Sequence, residues 1–264
     1  MRKAVILLLL FTGSAITAHE FWLEPQRFYL HKGETLTLKF LVGQDFTGVN
    51  WKGNRSSVQR LTLFYNGIQD DLEPLIPDSL GGHSLNLQFF NEGTAMIAYQ
   101  SANKPITLPP DQFLEYLKED GLDNAVRYRE EHQETDSSGR ELYQRCAKTI
   151  FQVGSVKNDA YQYVCGLPAE FVPLSNPYGL KKGDSISIRI LSAGRPAAGK
   201  KINTWHRING KTTRKELLSD TNGIIRFPVS LAGKWMVSNV TMERLANNEN
   251  ADWQSFWASL TWGY

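Results

Sequence analysis

The chain has 264 residues, of which 41% are hydrophobic and 21% are charged, and its formal net charge is +2. This is enough chain for one large or two ordinary globular domains, and its aromatic content of 11% excludes intrinsic disorder and a collagen-like repeat. Two cysteines are too few for a disulfide-dominated miniprotein or for a zinc site with four thiolate ligands.

Residues 1–18 have the pattern of a secretory signal peptide. A short basic start is followed by an apolar segment over residues 4–11 and then by small residues. The apolar segment is too short to span a bilayer, and nothing later in the sequence resembles a transmembrane segment. Cleavage after Ala18 fits the pattern best, and cleavage after Ala15 is the alternative. We therefore expect an exported, periplasmic protein that is not embedded in a membrane.

Removal of the signal peptide changes the charge balance. It takes away Arg2 and Lys3, so 29 basic residues become 27 against 27 acidic ones, and the net charge of +2 becomes zero. The remaining pairs of lysines, such as Lys181 and Lys182, are typical of solvated turns. Because a nucleic-acid-binding protein needs a basic stripe, we expect no nucleic-acid partner.

The first part of the mature chain, residues 19–107, is predicted to be a β-sandwich domain. Polar and apolar side chains alternate over residues 35–40, and similar short runs recur at residues 58–65, 84–90 and 94–99. Glycine-rich turns separate these runs, and no helical pattern lies between them. Short strands at this spacing favour an antiparallel sandwich.

The period changes in residues 108–140, which predict a short helical insert. After a Pro-Pro pair, Asp111 can cap a first helix, and Gly121 separates that helix from a second helical piece over residues 122–132. This insert is the best candidate for a boundary between two domains.

Strand patterns return in residues 141–264, the predicted second sandwich domain. Residues 184–191 place three isoleucines on one side, and the Asp-Thr-Asn-Gly turn at residues 220–223 predicts a hairpin. These elements and the Gly-x-Pro-x-x-Gly link between them form the layout of a Greek-key sandwich. The predicted fold class is mainly β, with two antiparallel β-sandwich domains of the Ig-like or Greek-key kind joined by the helical insert.

Cys146 and Cys165 are expected to form a disulfide in an oxidising compartment. A bridge across this separation of 19 residues would add about 3 kcal/mol of stability in the chain-entropy model. Two buried free thiols and a thiolate metal site are the alternatives, and the spacing does not fit a CxxC redox pair.

His19 is the strongest candidate for a residue with a chemical role. The sequence has no HExxH, GxSxG, P-loop or dinucleotide-binding signature, so we predict a protein that is not an enzyme. If cleavage follows Ala18, the α-amine and ring Nδ1 of His19 could chelate a Cu, Ni or Zn ion, with His206 or His83 completing a three-nitrogen site. The alternative interpretation is that cleavage merely leaves His19 at the start, and that His206 and His83 are ordinary surface or core histidines.

Aromatic residues are concentrated near the end of the chain, where Trp253, Phe256, Trp257 and Trp262 lie within ten residues. They fit a sandwich core with an aromatic edge. In the alternative interpretation, Trp253 and Trp257 form a stacking platform for a glycan or another flat ligand. A glycan- or protein-binding module that acts without metal is therefore the second functional hypothesis.

The opening segment at residues 18–22, Ala-His-Glu-Phe-Trp, and the closing segment at residues 257–261, Trp-Ala-Ser-Leu-Thr, resemble a secreted family of unknown function related to periplasmic components of nickel and cobalt uptake. The resemblance extends over nearly the whole mature chain. It implies an exported β-sandwich and carries the opening histidine of the family over to His19. The chain departs from the family at Thr241, where many relatives have a histidine before the methionine that aligns with Met242.

The leading hypothesis from the sequence is therefore a periplasmic protein that binds or delivers a transition-metal ion, with Ni, Co or Cu as the candidate. The resemblance also implies a partner, either a metal-uptake transporter in the membrane or an outer-membrane receptor. His19 is the centre of the expected site.

Overall fold

The computed structural model describes residues 20–264; the expected signal peptide, both candidate cleavage sites and His19 lie outside the described residues. The strands are β1 (Glu20–Pro25), β2 (Tyr29–Leu30), β3 (Thr35–Gln44), β4 (Thr47–Asn50), β5 (Val58–Tyr65), β6 (Ile68–Asp71), β7 (Ser84–Gln88), β8 (Gly93–Ser101), β9 (Lys104–Leu108), β10 (Gly139–Val153), β11 (Ala169–Pro173), β12 (Ser185–Ser192), β13 (Arg195–Pro196), β14 (Lys201–Ile208), β15 (Lys211–Leu218), β16 (Ile224–Pro228), β17 (Lys234–Arg244) and β18 (Trp253–Gly263). The α-helices are α1 (Pro110–Glu119) and α2 (Asp123–Glu131). The fold is mainly β, as the sequence predicted.

One large sheet joins strands from both sides of the helices. Its strand order is β15-β14-β17-β18-β10-β8-β5-β6, and the short strands β2 and β9 also pair with β10. β10 pairs with β18 in parallel, from Glu141 opposite Trp253 to Thr149 opposite Thr261. Farther along, β10 pairs antiparallel with β8. The strands that precede and follow the helical insert therefore share one sheet.

A first four-stranded sheet, made of β1, β3, β4 and β7, packs against one part of the large sheet. The alternation predicted at residues 35–40 is confirmed, because Leu36, Leu38 and Phe40 are buried. They share a hydrophobic core with Tyr99 of β8 and other side chains of the large sheet.

A second four-stranded sheet, made of β11, β12, β13 and β16, covers another part. The three isoleucines predicted to share a face, Ile186, Ile188 and Ile190, are buried in a core that also contains Trp235 and Leu260 of the large sheet. The two cores are separate clusters, which is the layered arrangement expected of β-sandwiches.

The helices lie inside the predicted insert and pack on the large sheet. Phe113 and Leu117 are fully buried and belong to a third core with Val240 and Trp253. Pro109, and not Asp111, occupies the position before the first helical residue, so the carboxylate of Asp111 lies in the first turn and does not cap the helix. Neither α1 nor α2 is long and apolar enough to cross a membrane, and the described residues hold no other α-helix.

The predicted disulfide between Cys146 and Cys165 is wrong, because the structure contains both as free thiols. Cys146 is buried in the second core, and Cys165 packs against that core. The Cys165 thiol donates a hydrogen bond to the carbonyl oxygen of Tyr163 at 3.7 Å. Burial raises the pKa of both thiols to about 12 and keeps them protonated. Two free thiols were the alternative that the sequence left open.

Candidate functional site

His206 lies on the large sheet and His83 lies just before a strand of the first four-stranded sheet, and a ring nitrogen of each is within hydrogen-bond distance of a backbone carbonyl. His206, on β14, stacks on Trp235 with ring centroids 4.2 Å apart, and its Nε2 is 2.8 Å from the carbonyl oxygen of Ala232. His83 directly precedes β7, and its Nε2 is 2.7 Å from the carbonyl oxygen of Ser79. Within residues 20–264, no group of three or more His, Cys, Asp or Glu side chains is placed to hold a metal ion. His19 lies outside that range.

Trp253 and Trp257 do not form an open stacking surface. Trp253 is 1% exposed, and its ring contacts the ring of Tyr128, at 5.5 Å, and the guanidinium of Arg244, at 5.2 Å. Trp257 is half-buried and stacks on Tyr116 with centroids 5.6 Å apart. The core interpretation is therefore correct for Trp253, whose buried ring is not available to a ligand. A role of Trp257 in ligand binding stays a prediction.

A small cavity lies beside the start of the described chain, where β1 and the end of α1 meet the large sheet. Its walls are Glu20, Phe21, Asp120, Asn203, Ser238, Asn239, Val240, Trp257, Ala258 and Ser259. Two of these residues are carboxylates, Glu20 and Asp120. We call this the acidic cavity.

Local contacts explain why Glu20 and Asp120 meet here. The hydroxyl of Ser259 on β18 donates to the carbonyl oxygen of Phe21 at 2.8 Å, which fixes β1 on the large sheet. At the end of α1, Gly121 has a φ of +69° and lies so close to Lys201 that an added Cβ would be 2.9 Å from its side chain. Glycine therefore allows the turn after Asp120 to approach β14.

The pKa values of these two carboxyl groups are raised. The pKa of both Glu20 and Asp120 is raised to about 7, mainly by burial, and the charge of Glu20 contributes to the rise at Asp120. Asp120 Oδ2 is completely buried and has no hydrogen-bond partner among the described residues. A buried carboxylate oxygen without a partner is costly unless a proton or a cation occupies the space beside it.

The nearest basic side chains are engaged with other groups. Lys201 Nζ donates to the carbonyl oxygen of Glu119 at 2.8 Å and lies 3.1 Å from Glu216 Oε2. Arg214 donates to Asn203 Oδ1 at 3.1 Å and to Glu216 Oε1 at 2.9 Å. Lys201 and Arg214 lower the pKa of Asp120 at a distance, but neither forms an ion pair with it. The two carboxyl groups of the acidic cavity therefore have no ion-pair partner among Lys201 and Arg214.

Asp120 was missed by the sequence analysis, and Glu20 was noted only as part of the opening segment. Thr241 and Met242 are both buried on β17, and neither lines the acidic cavity. Met242 packs in the core beneath the helices, so its thioether is a packing group.

The model of one family, described as a domain of unknown function (DUF4198), matches residues 16–243 of the chain. No curated protein is similar enough to count as a match.

Several solved structures show weak similarity. The D0–D1 domain of intimin is 10% identical with a TM-score of 0.22, and the match covers 93% of this chain and 98% of that one. A bacterial ice-binding adhesin is 13% identical with a TM-score of 0.24, covering 93% of this chain and 64% of that one. Salmonella alpha-2-macroglobulin is 12% identical with a TM-score of 0.24, and the match covers 93% of this chain and 15% of that one. Similarity at this level supports no inference about function.

Proposed function

We propose that this chain, which belongs to the DUF4198 family of domains of unknown function, binds a divalent transition-metal ion at its acidic cavity. The observation that carries the proposal is the buried, unpartnered Oδ2 of Asp120 beside a cavity that Glu20 also lines, with the charge of Glu20 acting on Asp120. A cation there would supply the missing partner for that oxygen and neutralise the pair.

His19 extends this set of ligands. His19 is the residue bonded to Glu20, which lines the cavity, and for that reason we propose it as a further ligand. If cleavage follows Ala18, the α-amine and imidazole of His19 join the two carboxylates. Such nitrogen and oxygen donors suit Co(II), Ni(II), Cu(II) and Zn(II). In this proposal Glu20 and Asp120 take the places that the sequence analysis gave to His206 and His83.

The carboxyl groups also make metal binding dependent on pH. A metal ion binds the ionised carboxylates, and the pKa values of about 7 mean that protons compete for the same oxygens near neutral pH. Metal affinity should therefore rise from pH 6 to pH 8. A periplasmic location and delivery to a metal-uptake transporter or outer-membrane receptor belong to the same proposal and rest on the resemblance described above.

The test begins with the exported protein. Its intact mass identifies the first residue, and titration of the same sample with Ni(II), Co(II) and Cu(II) measures binding. We expect a start at His19, one bound ion per chain, and at least a tenfold loss of affinity in Asp120→Asn. Asp123→Asn, which changes an exposed carboxylate at the start of α2, is the matched control and should bind like the wild type.

Two outcomes contradict the proposal. The first is a protein that starts at His19 and binds none of the three ions more tightly than an unrelated protein of similar charge. The second is binding that Asp120→Asn and Glu20→Gln leave unchanged, which would place the ion elsewhere.

A further inference from the structure

A second site lies on a different part of the surface. A groove of about 790 Å³ runs between residues 24–29, the β14–β15 turn at residues 207–210, residues 231–234 and Tyr264. We call it the basic groove. None of its lining residues lines the acidic cavity.

Positive charge dominates the side chains of the groove. Arg27, Arg207 and Lys234 line it, and Glu24 is the one acidic side chain among its lining residues. Glu24 forms an ion pair with Lys234, whose Nζ lies 2.5 Å from the Glu24 Oε2. Glu24 Oε2 also accepts a hydrogen bond from Trp22 Nε1 at 2.9 Å. This ion pair leaves the two arginines without a side-chain carboxylate as a partner in the groove.

The two arginines remain available to a ligand. The guanidinium of Arg207 donates one hydrogen bond, from NH1 to Thr212 Oγ1 at 2.8 Å, and its other N–H groups donate none within residues 20–264. Arg27 is exposed and forms no hydrogen bond or ion pair with the described part of the chain. Guanidinium groups bind carboxylates and sulfates with two parallel hydrogen bonds, so this pair favours an anionic ligand.

Exposed tyrosine rings stand beside these arginines. Tyr29 is 47% exposed and Tyr264 is 36% exposed, and both line the groove. The hydroxyl of Tyr264 donates to the carbonyl oxygen of Pro177 at 3.0 Å, which holds its ring in place. A fixed aromatic face with an apolar body and a polar edge packs well on a sugar ring.

The walls of the groove disfavour an extended peptide. Most of them are turns and connections, and Lys234 belongs to β17, which pairs on both sides with β14 and β18. Glu24 and Pro25 belong to β1, which among the described strands pairs only with β3, but Pro25 has no N–H, and the carbonyl oxygens of Phe21 and Leu23 already accept hydrogen bonds from Ser259 and Thr261. Strand β2 is only two residues long. The groove therefore offers little free strand edge to which a peptide could add by main-chain hydrogen bonds. Arginines, exposed tyrosines and turn backbone instead match a ligand that carries acidic groups on flat rings.

We propose that the basic groove binds an acidic oligosaccharide, with its carboxylate or sulfate groups on Arg27 and Arg207 and a sugar ring on Tyr29. The site needs no metal ion, so it is independent of the function proposed for the acidic cavity.

The probe is tri-galacturonate, a trisaccharide of uronic acids, titrated into the full exported protein by calorimetry at 50 and 300 mM NaCl in the presence of EDTA. We expect saturable binding that weakens at the higher salt concentration. Arg27→Ala and Tyr29→Ala should each weaken it at least fivefold, because both side chains are exposed and their removal leaves the fold intact. Arg226→Ala, an exposed arginine on β16, is the matched control and should bind like the wild type.

Five results would overturn the proposal. Absence of tri-galacturonate binding at millimolar concentration excludes the ligand class. Equal binding by Arg27→Ala places the ligand elsewhere, and equal binding of neutral maltotriose removes the role of charge. Equal binding of hexaglutamate shows general attraction of polyanions. If binding occurs only without EDTA, it belongs to a metal site.

Discussion

Thr261 Oγ1 lies 2.6 Å from the carbonyl oxygen of Leu23, to which it donates a hydrogen bond, and Ser259 makes the equivalent bond to Phe21 at 2.8 Å. The closing segment of the chain therefore holds the opening segment by two buried hydrogen bonds. These are the two segments on which the family resemblance was based. The two hydrogen bonds fix β1, and with it Glu20, at the acidic cavity.

Removal of these hydroxyl groups should destabilise the protein. Ser259→Ala or Thr261→Val leaves a buried carbonyl without its donor, which costs about 1–3 kcal/mol of unfolding free energy. Urea unfolding measures this loss. Thr107→Val, an exposed threonine on β9, is the control and should change stability by less than about 0.5 kcal/mol. If both buried variants unfold like the wild type, the bonds to β1 do not contribute to stability.

The second prediction concerns a buried ion pair. Lys148 Nζ lies 2.9 Å from Glu170 Oε1, and both side chains are only 1% exposed. The carboxylate of Glu170 also accepts hydrogen bonds from the backbone N–H groups of Cys165, at 2.6 Å, and Leu167, at 3.2 Å. Lys148→Met leaves this charge buried without its cation, so we expect a loss of about 3–5 kcal/mol.

The control for this ion pair is Lys157→Met, which changes an exposed lysine. Urea unfolding at pH 7 should place this control within about 0.5 kcal/mol of the wild type. A Lys148→Met protein that is as stable as this control would mean that the Glu170 carboxylate gains nothing from its cation.

The elements of the fold follow from local sequence patterns more closely than their arrangement does. The run at residues 58–65 coincides with β5, and the turn at residues 220–223 contains Gly223 with a φ of +69°. These features depend on neighbouring residues, whose alternation and turn preferences can be read directly. The parallel pairing of β10 with β18 depends on segments about a hundred residues apart, and alternation does not reveal which strand is the neighbour.

Prediction of the candidate site from the sequence had the same limit, because one of its two carboxylates comes from a distant segment. Glu20 stands beside His19 in the sequence, so a search for metal ligands near the start could have found it. Asp120 becomes its neighbour only because α1 docks on the large sheet, with Gly121 in close approach to Lys201. Such a contact has no local signal beyond a glycine after a helix, which usually marks only the end of the helix.

The buried carboxyl of Glu141 should make stability depend on pH. Burial raises its pKa from 4.5 to about 7, although hydrogen bonds with Ser255, Tyr116 and Trp257 act in the opposite direction. Its Oε2 is buried and has no partner among residues 20–264. Between about pH 5 and pH 7 the folded protein holds this proton and the unfolded chain does not. The free energy of unfolding should therefore fall as the pH rises through this range.

Glu141→Gln isolates that effect, because the amide has nearly the same size and does not ionise. Urea unfolding from pH 4.5 to pH 8 should show that the variant gains stability relative to the wild type as the pH rises. Glu20 and Asp120 also make the free energy of unfolding depend on pH, and to a similar extent in the variant and the wild type. The quantity to follow is therefore the difference in unfolding free energy between Glu141→Gln and the wild type. Glu130→Gln, an exposed residue of α2, should run parallel to the wild type. A constant difference between Glu141→Gln and wild type would contradict a raised pKa in the folded state.

The two cysteines should be slow to react in the native protein. Cys146 is 1% exposed, and burial raises the pKa of both thiols to about 12, whereas the thiolate is the reactive form. Exported protein purified without reductant should react slowly with Ellman's reagent and should release two equivalents of thiol after unfolding in guanidinium. Cys165→Ser should release one equivalent under the same conditions. A wild-type protein that yields no thiol until a reductant is added carries a disulfide after export, which would contradict the free thiols of the structure.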